Sequence, residues 1–268
     1  MAIASSAREE SAPVVELRGV HKRFDQLLVL RGIDLVLEPE RTTVIIGESG
    51  SGKSVILKHM VRLLKPDRGE VYYRGLRIDD LSERRLASLR PGIGFLFQLN
   101  ALFDSLTVGQ NVAFPLIEHL RMKRKEAAEV AEEKLVMVGL PGIQGKWPAE
   151  LSGGQKKRVA LARSIAVNPQ VILYDEPTTG LDPPRADVIN ELIRKLQREL
   201  GVTSVVVTHD MASARKVADR ILMLYEGQFI YDGTPESIMH AVDPRVRRFV
   251  EGRAPEKDLA SLSAGGGR

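Results

Sequence analysis

The chain is 268 residues long, 43% hydrophobic and 28% charged, with a formal net charge of +4 and no cysteine. That composition fits a globular chain able to bury a substantial core; the lack of cysteine excludes disulfides and cysteine-ligated zinc, which suits a cytoplasmic location. The charge excess is compatible with nucleotides, nucleic acid, an anionic membrane face, or simply solvated Lys and Arg on helix surfaces.

Residues 1–12 are small, polar and charged, and are expected to form a disordered leader without the apolar core of a secretory signal. Strand-like runs follow at Val14–Leu17, Leu27–Val29 and Ile33–Leu37. The β-branched run Thr42–Ile46 leads into a Gly-rich loop and then a helical stretch, Lys53–Leu64, that stops before Pro66. Glu70–Tyr73 and Ile93–Phe97 read as further strands. From Thr107 to about Ala166 the pattern turns helical, with one helix over Lys123–Val138 and a second starting after Ser152 and ending at Asn168–Pro169. Val171–Tyr174 and Ser204–Thr208 are buried-type strands on either side of a helix with Ile189, Leu192, Ile193 and Leu196 on one face and Gly201 at its end. Ile221–Tyr225 and Gln228–Tyr231 form an expected hairpin turning at Glu226–Gly227. No apolar run reaches the ~18–20 residues that span a bilayer, so at a membrane other chains would have to hold this one. Alternating strands and helices predict an α/β core with a largely parallel sheet, and the mid-chain helices a subdomain inserted at about residues 100–166.

Three segments carry chemistry. Gly47-Glu48-Ser49-Gly50-Ser51-Gly52-Lys53-Ser54 fits G-x-x-x-x-G-K-[ST] and sits between a predicted strand and a predicted helix, the context a phosphate-binding loop requires. Its glycines allow tight turns that aim N–H groups at phosphate oxygens; Lys53 would neutralise the β- and γ-phosphates, and the Ser54 hydroxyl would ligate Mg²⁺. Val171–Tyr174 ends in Asp175 and Glu176, an ordinary strand end by itself. Coupled to the loop, Asp175 becomes a metal ligand, and Glu176 a candidate to orient and deprotonate water. Leu151-Ser152-Gly153-Gly154-Gln155 opens a helix with two glycines, either a second anion-binding N-terminus or a serine N-cap with glycines for close packing. A second phosphate site about a hundred residues after the first makes sense if two chains share each nucleotide.

In order and spacing these motifs resemble the nucleotide-binding subunits of ABC transporters over about Val14–Ala241, and the resemblance implies a P-loop NTPase (RecA-like) core with an antiparallel β subdomain and the inserted helical subdomain. It also implies an ATPase domain over residues 13–241 and a C-terminal extension over 242–268, a helix followed by a disordered tail. Implied as well are roles for Phe24 (adenine stacking, in place of the more usual Tyr), Gln98 (Mg²⁺ and water sensing), Asp182 (dimer contact) and His209 (γ-phosphate contact). Pro39-Glu40-Arg41 replaces a turn that usually contains Gly, and Pro184 adds a second proline after Asp182. The implied machine is a homodimer that binds ATP and Mg²⁺ head-to-tail, sits under integral permease subunits on the cytoplasmic face of an inner membrane, and has no nucleic-acid partner. Phe97–Val108 and Asn111–Leu116 are most similar to the ATPases of MCE/Mla-type phospholipid transporters, which implies an MCE-domain lipid-binding partner; another importer or exporter, or a soluble non-transport ABC ATPase, is the alternative. In the extension, Asp243 and Pro244 open an expected helix whose face of Val242, Val246, Phe249 and Val250 needs either the partner protomer or its own domain to pack on.

Overall fold

The computed structural model describes residues 13–254; the expected leader and the polar tail after Ala254 lie outside the described residues. Val15–Phe24 (β1) and Leu27–Leu37 (β2) pair antiparallel through most of their length, longer than the separate runs expected from the sequence. Register shifts near Gly19 and Gly32 let the pairing run through positions where the apolar alternation breaks. Next come Thr42–Ile46 (β3) and Lys53–Met60 (α1), then Arg68–Tyr73 (β4) and Leu76–Arg77 (β5). α1 ends earlier than expected because Arg62 turns left-handed at φ 56°. The amides of Leu63 and Leu64 fold back onto the carbonyl of Lys58, which closes the helix.

Glu83–Leu89 (α2) precedes Ile93–Leu96 (β6). Three helices follow, Val108–Leu120 (α3), Arg124–Met137 (α4) and Gly153–Ser164 (α5). α5 stops well short of Pro169; Asn168 takes a left-handed turn at φ 51° before the next strand. Val171–Asp175 (β7), Pro183–Leu200 (α6), Thr203–Thr208 (β8), Met211–Val217 (α7), Arg220–Tyr225 (β9), Gln228–Gly233 (β10) and Pro244–Val250 (α8) complete the order. Glu226 and Gly227, both at positive φ, make the turn of the hairpin.

The strands form an antiparallel sheet, β2-β1-β4-β5, and a six-stranded sheet, β10-β9-β3-β8-β7-β6, parallel except for β10. Every residue of β3, β7 and β8 is buried, which is why those runs are apolar or β-branched at successive positions. Alternate side chains feed two cores. Val44, Ile46, Ile172, Tyr174 and Val206 pack with α3 to α7, whereas Ile45, Val171, Leu173, Val205 and Val207 pack with α1, α2 and the antiparallel sheet. The α/β class holds, and the sheet lies between a helical side and a β-rich side.

The turn at Pro39–Glu40 does without glycine because Glu40 itself adopts φ 56°, with its N–H donating to Thr203 Oγ1 at 3.0 Å. Pro183 and Pro184 lie in the first turn of α6, where no amide is needed. At the C-terminus, Asp243 caps α8 by accepting from the Arg245 N–H at 2.8 Å. Val246 is wholly buried and Phe249 and Val250 pack on the helix-side core of the same chain, so the apolar face has its own domain to pack on. Val242 departs from the expectation: it lies before the helix begins and is 88% exposed.

Candidate functional site

The chemistry-bearing residues gather at the C-terminal ends of β3, β7 and β8, where parallel strands leave a crevice. The loop from Gly47 to Gly52 joins β3 to α1, and two of its glycines are forced by space. A Cβ at Gly47 would meet the Leu224 carbonyl oxygen at 2.4 Å, and one at Gly52, where φ is 106°, would meet Val29 Cγ1 at 2.9 Å. Glu48, Ser49 and Gly50 are exposed at the rim, while the Ser51 hydroxyl is buried without a hydrogen-bond partner.

Lys53, only 6% exposed, bends back over this loop and donates to the carbonyls of Gly47 at 2.8 Å and Glu48 at 2.9 Å. Burial lowers its pKa from the usual lysine value, against the pull of Glu176, Asp175 and Glu48. The Ser54 hydroxyl donates to Asp175 Oδ1 at 2.6 Å, joining the loop to the end of β7. Burial raises the Asp175 carboxyl above the usual range, the Ser54 bond opposes that rise, and Glu176 adds to it.

Glu176 sits just beyond β7 at φ 49°, a left-handed conformation stabilised by its N–H donating to the Val207 carbonyl at 3.0 Å. Its side chain accepts from Thr179 Oγ1 at 3.1 Å and from His209 Nδ1 at 3.0 Å, and lies 4.0 Å from Lys53 Nζ. A cation, a hydroxyl pair, two carboxylates and an imidazole thus converge on one phosphate-type loop.

Among the described residues the side chains of the other named residues make no hydrogen bond to that cluster. Phe24 ends β1, 41% exposed, with Lys22 Nζ 5.5 Å from its ring centre. Gln98 follows β6 with an exposed side chain, and its carbonyl accepts from Lys157 Nζ at 2.9 Å. Asp182 caps α6, accepting from the Arg185 N–H at 3.0 Å. Ser152 and Gln155 satisfy each other in a capping box at the start of α5: the Gln155 N–H donates to Ser152 Oγ at 3.3 Å and the Ser152 N–H to Gln155 Oε1 at 3.0 Å. Gly153 is exposed and Gly154 half-buried, and among the described residues no hydrogen bond joins this turn to the Lys53 loop of the same chain. The capped-helix reading therefore holds for the single chain, and the helix start stays accessible to a ligand from outside it.

Sequence reasoning missed Thr179, Lys157 and a buried network in which Asn190 Nδ2 donates to Ser213 Oγ at 2.9 Å, which in turn donates to Asp210 Oδ2 at 2.6 Å. Asn190 left a trace, a polar residue next to the apolar stripe of α6. Lys157 left none among its neighbours Lys156 and Arg158.

Fold and loop together define a P-loop nucleoside triphosphatase. Residues 30–179 match the ABC transporter family. The ribonucleotide transport ATP-binding protein mkl of Mycobacterium tuberculosis, described as probable, is 38% identical over 256 residues, 93% of this chain and 71% of that protein. The intermembrane phospholipid transport system ATP-binding protein MlaF of Escherichia coli is 37% identical over 243 residues, 91% of this chain and 90% of its own. A solved dimeric ATP-binding cassette in a post-hydrolysis state, bound to ADP and Pi, superposes with a TM-score of 0.76 at 38% identity, covering 82% of this chain and 98% of that one. The chain belongs to the ABC transporter family and is an ABC-type ATPase, converting ATP and water to ADP and phosphate.

Proposed function

We propose that this ATPase powers phospholipid movement between two membranes, working as a homodimer beneath integral permease subunits and with an MCE-domain lipid-binding protein. The observation that carries the ATPase half is the convergence of Lys53, Ser54, Asp175, Glu176 and His209 on one loop. The lipid half rests on the similarity to MlaF, named for intermembrane phospholipid transport. The name of mkl favours a second reading, another cargo on the same engine.

In this reading residues 13–241 form the ATPase domain, with the helical subdomain at about 100–166. Gly47–Gly52 wraps the phosphates, and the partnerless Ser51 hydroxyl in that cradle fits a group rich in acceptor oxygens. Lys53 exchanges its two carbonyl partners for β- and γ-phosphate oxygens. Ser54, Asp175 and Gln98 would hold Mg²⁺, which neutralises phosphate charge. Glu176 takes the proton of the attacking water, with His209 and Thr179 fixing its orientation. Phe24 stacks on adenine, Ser152–Gln155 of the second copy closes over the phosphates, and Asp182 lies at the dimer contact.

Among the described residues no helix is long and apolar enough to cross a membrane. Attachment to the cytoplasmic face of an inner membrane would run through a permease. A groove of about 380 Å³ lined by Phe95, Phe97, Phe103, Phe114 and Arg163 supports such docking, since Phe103 and Phe114 are 42% and 37% exposed.

Two measurements test the halves separately. Glu176→Gln should lower turnover at least about a hundredfold, a usual general-base contribution, while Mg·ATP binding survives and closed dimer accumulates; near-normal turnover removes Glu176 from its role. Purified from its native host in mild detergent, the chain should bring down a permease, an MCE-domain protein and phospholipid. A permease accompanied instead by an amino-acid, sugar or nucleotide receptor overturns the lipid assignment alone.

A further inference from the structure

Lys157 is 3% exposed inside α5, the helix that Ser152 caps. Its ammonium donates to the main-chain carbonyl of Gln98 at 2.9 Å and to that of Glu176 at 3.3 Å. A buried ammonium is costly unless other oxygens replace its water, and here the replacements are the backbones of the two loops that present Gln98 and Glu176. Burial lowers the pKa of Lys157 from the usual lysine value, and the nearby carboxylates of Glu176 and Asp175 oppose that fall.

The geometry makes this cation a junction. Glu176 is left-handed, so its carbonyl reaches α5 while its carboxylate reaches His209 and Thr179. Beyond Gln98 the chain is left-handed again at Asn100 and Ala101, and Arg163, also on α5, donates to both of their carbonyls, at 2.8 Å and 2.7 Å. α5 therefore grips the Gln98–Ala101 segment with two cations, and Lys157 alone of the two also holds the loop of Glu176.

We propose that Lys157 is a positioning residue for hydrolysis, tying the main chain at Gln98 to that at Glu176 so that the two loops and α5 shift together. The proposal rests on the assignment of Glu176 as base. Misplacing a catalytic group by 1 Å can cost about a hundredfold in rate, so small shifts of the segment suffice to turn hydrolysis down. The same segment borders the groove of Phe97 and Phe103, so a partner seated there would be felt at Glu176 through Lys157.

The test compares Lys157→Met, which keeps length and removes the charged donor, with Lys157→Arg, which restores a cation able to reach both carbonyls. Lys157→Met should lower kcat about 10- to 100-fold, the equivalent of one charge-assisted hydrogen bond, with KM for Mg·ATP within about twofold of the parent. Lys157→Arg should recover most of that loss. In the Glu176→Gln background, Lys157→Met should have a much smaller effect, because the base that it positions is gone. Unchanged kcat, a loss that Arg does not restore, or an equal loss in the Glu176→Gln background would each overturn the proposal. Should Lys157→Met fail to fold, Lys157→Gln, a neutral and shorter donor, replaces it: a comparable loss of kcat supports the positioning role, and unchanged kcat overturns it. If Glu176→Gln itself keeps turnover, the base assignment falls; if it loses turnover while the Lys157 variants keep theirs, only the positioning role falls.

Discussion

Asp175 sits where the fold resists a charge. Burial pushes its carboxyl above the usual range, Glu176 pushes the same way, and the Ser54 hydroxyl only partly opposes them. A carboxyl whose folded pKa lies above its unfolded value favours folding while protonated, and that benefit is lost as pH rises through the folded pKa. Once ionised, Asp175 therefore costs the nucleotide-free chain stability. Asp175→Asn should raise Tm at pH 7 in chelator, by about 2–4 °C for each kcal/mol recovered, and the gain should vanish near pH 3–4. A lower Tm at pH 7 would mean that the carboxylate is net stabilising. At this scale Lys53, Ser54, Asp175 and Glu176 were legible because side-chain chemistry at set spacing is written in the sequence, whereas His209 was legible only through the family resemblance. Lys157 was not, since it contacts backbone carbonyls, which every residue carries.

At the scale of elements, the strands buried on both faces were the most legible, Thr42–Ile46 to the residue, because continuous apolar runs have one solution in an α/β sheet. The edges of β1 and β2 were not, because bulges carry pairing through glycines that read as breaks. α8 offers the sharpest test of an element whose packing remained open. With Val246 wholly buried in its own domain, Val246→Ala should destabilise the isolated chain by about 2 kcal/mol, read from urea unfolding. Val242→Ala, at 88% exposure, should change stability by less than about 0.5 kcal/mol. Equal effects of the two would place the apolar face elsewhere. Truncation after Ala241 should accordingly lower the stability of the chain itself, apart from any effect on a dimer.

For the whole molecule, the Lys53 loop and the Ser152–Gln155 turn are separate features of one chain, each without the other's contacts. If two copies join them head-to-tail, lesions in the two motifs should complement. Lys53→Ala removes the cation, and Gly154→Asp sets a carboxylate against phosphate. Each homodimer should be inactive, yet a mixed dimer places both lesions on one composite site and leaves the other whole. Co-expressed with separable tags, the heterodimer should regain a measurable share of parental ATPase activity. Purified heterodimer with none would count against shared sites.

The sequence by itself determined the α/β class, the phosphate loop, the paired carboxylates and the second helix start, because each depends on local residue types at short spacing. Only the tertiary structure decided which of them meet. It joined Ser54, at the start of α1, to Asp175, at the end of β7, and brought His209 to Glu176. It left Ser152 and Gln155 bonded to each other, and turned α8 onto its own core. Those outcomes depend on strand order and on left-handed turns such as that at Glu176, which arise from the packing of residues far apart in the chain and leave no periodicity to read.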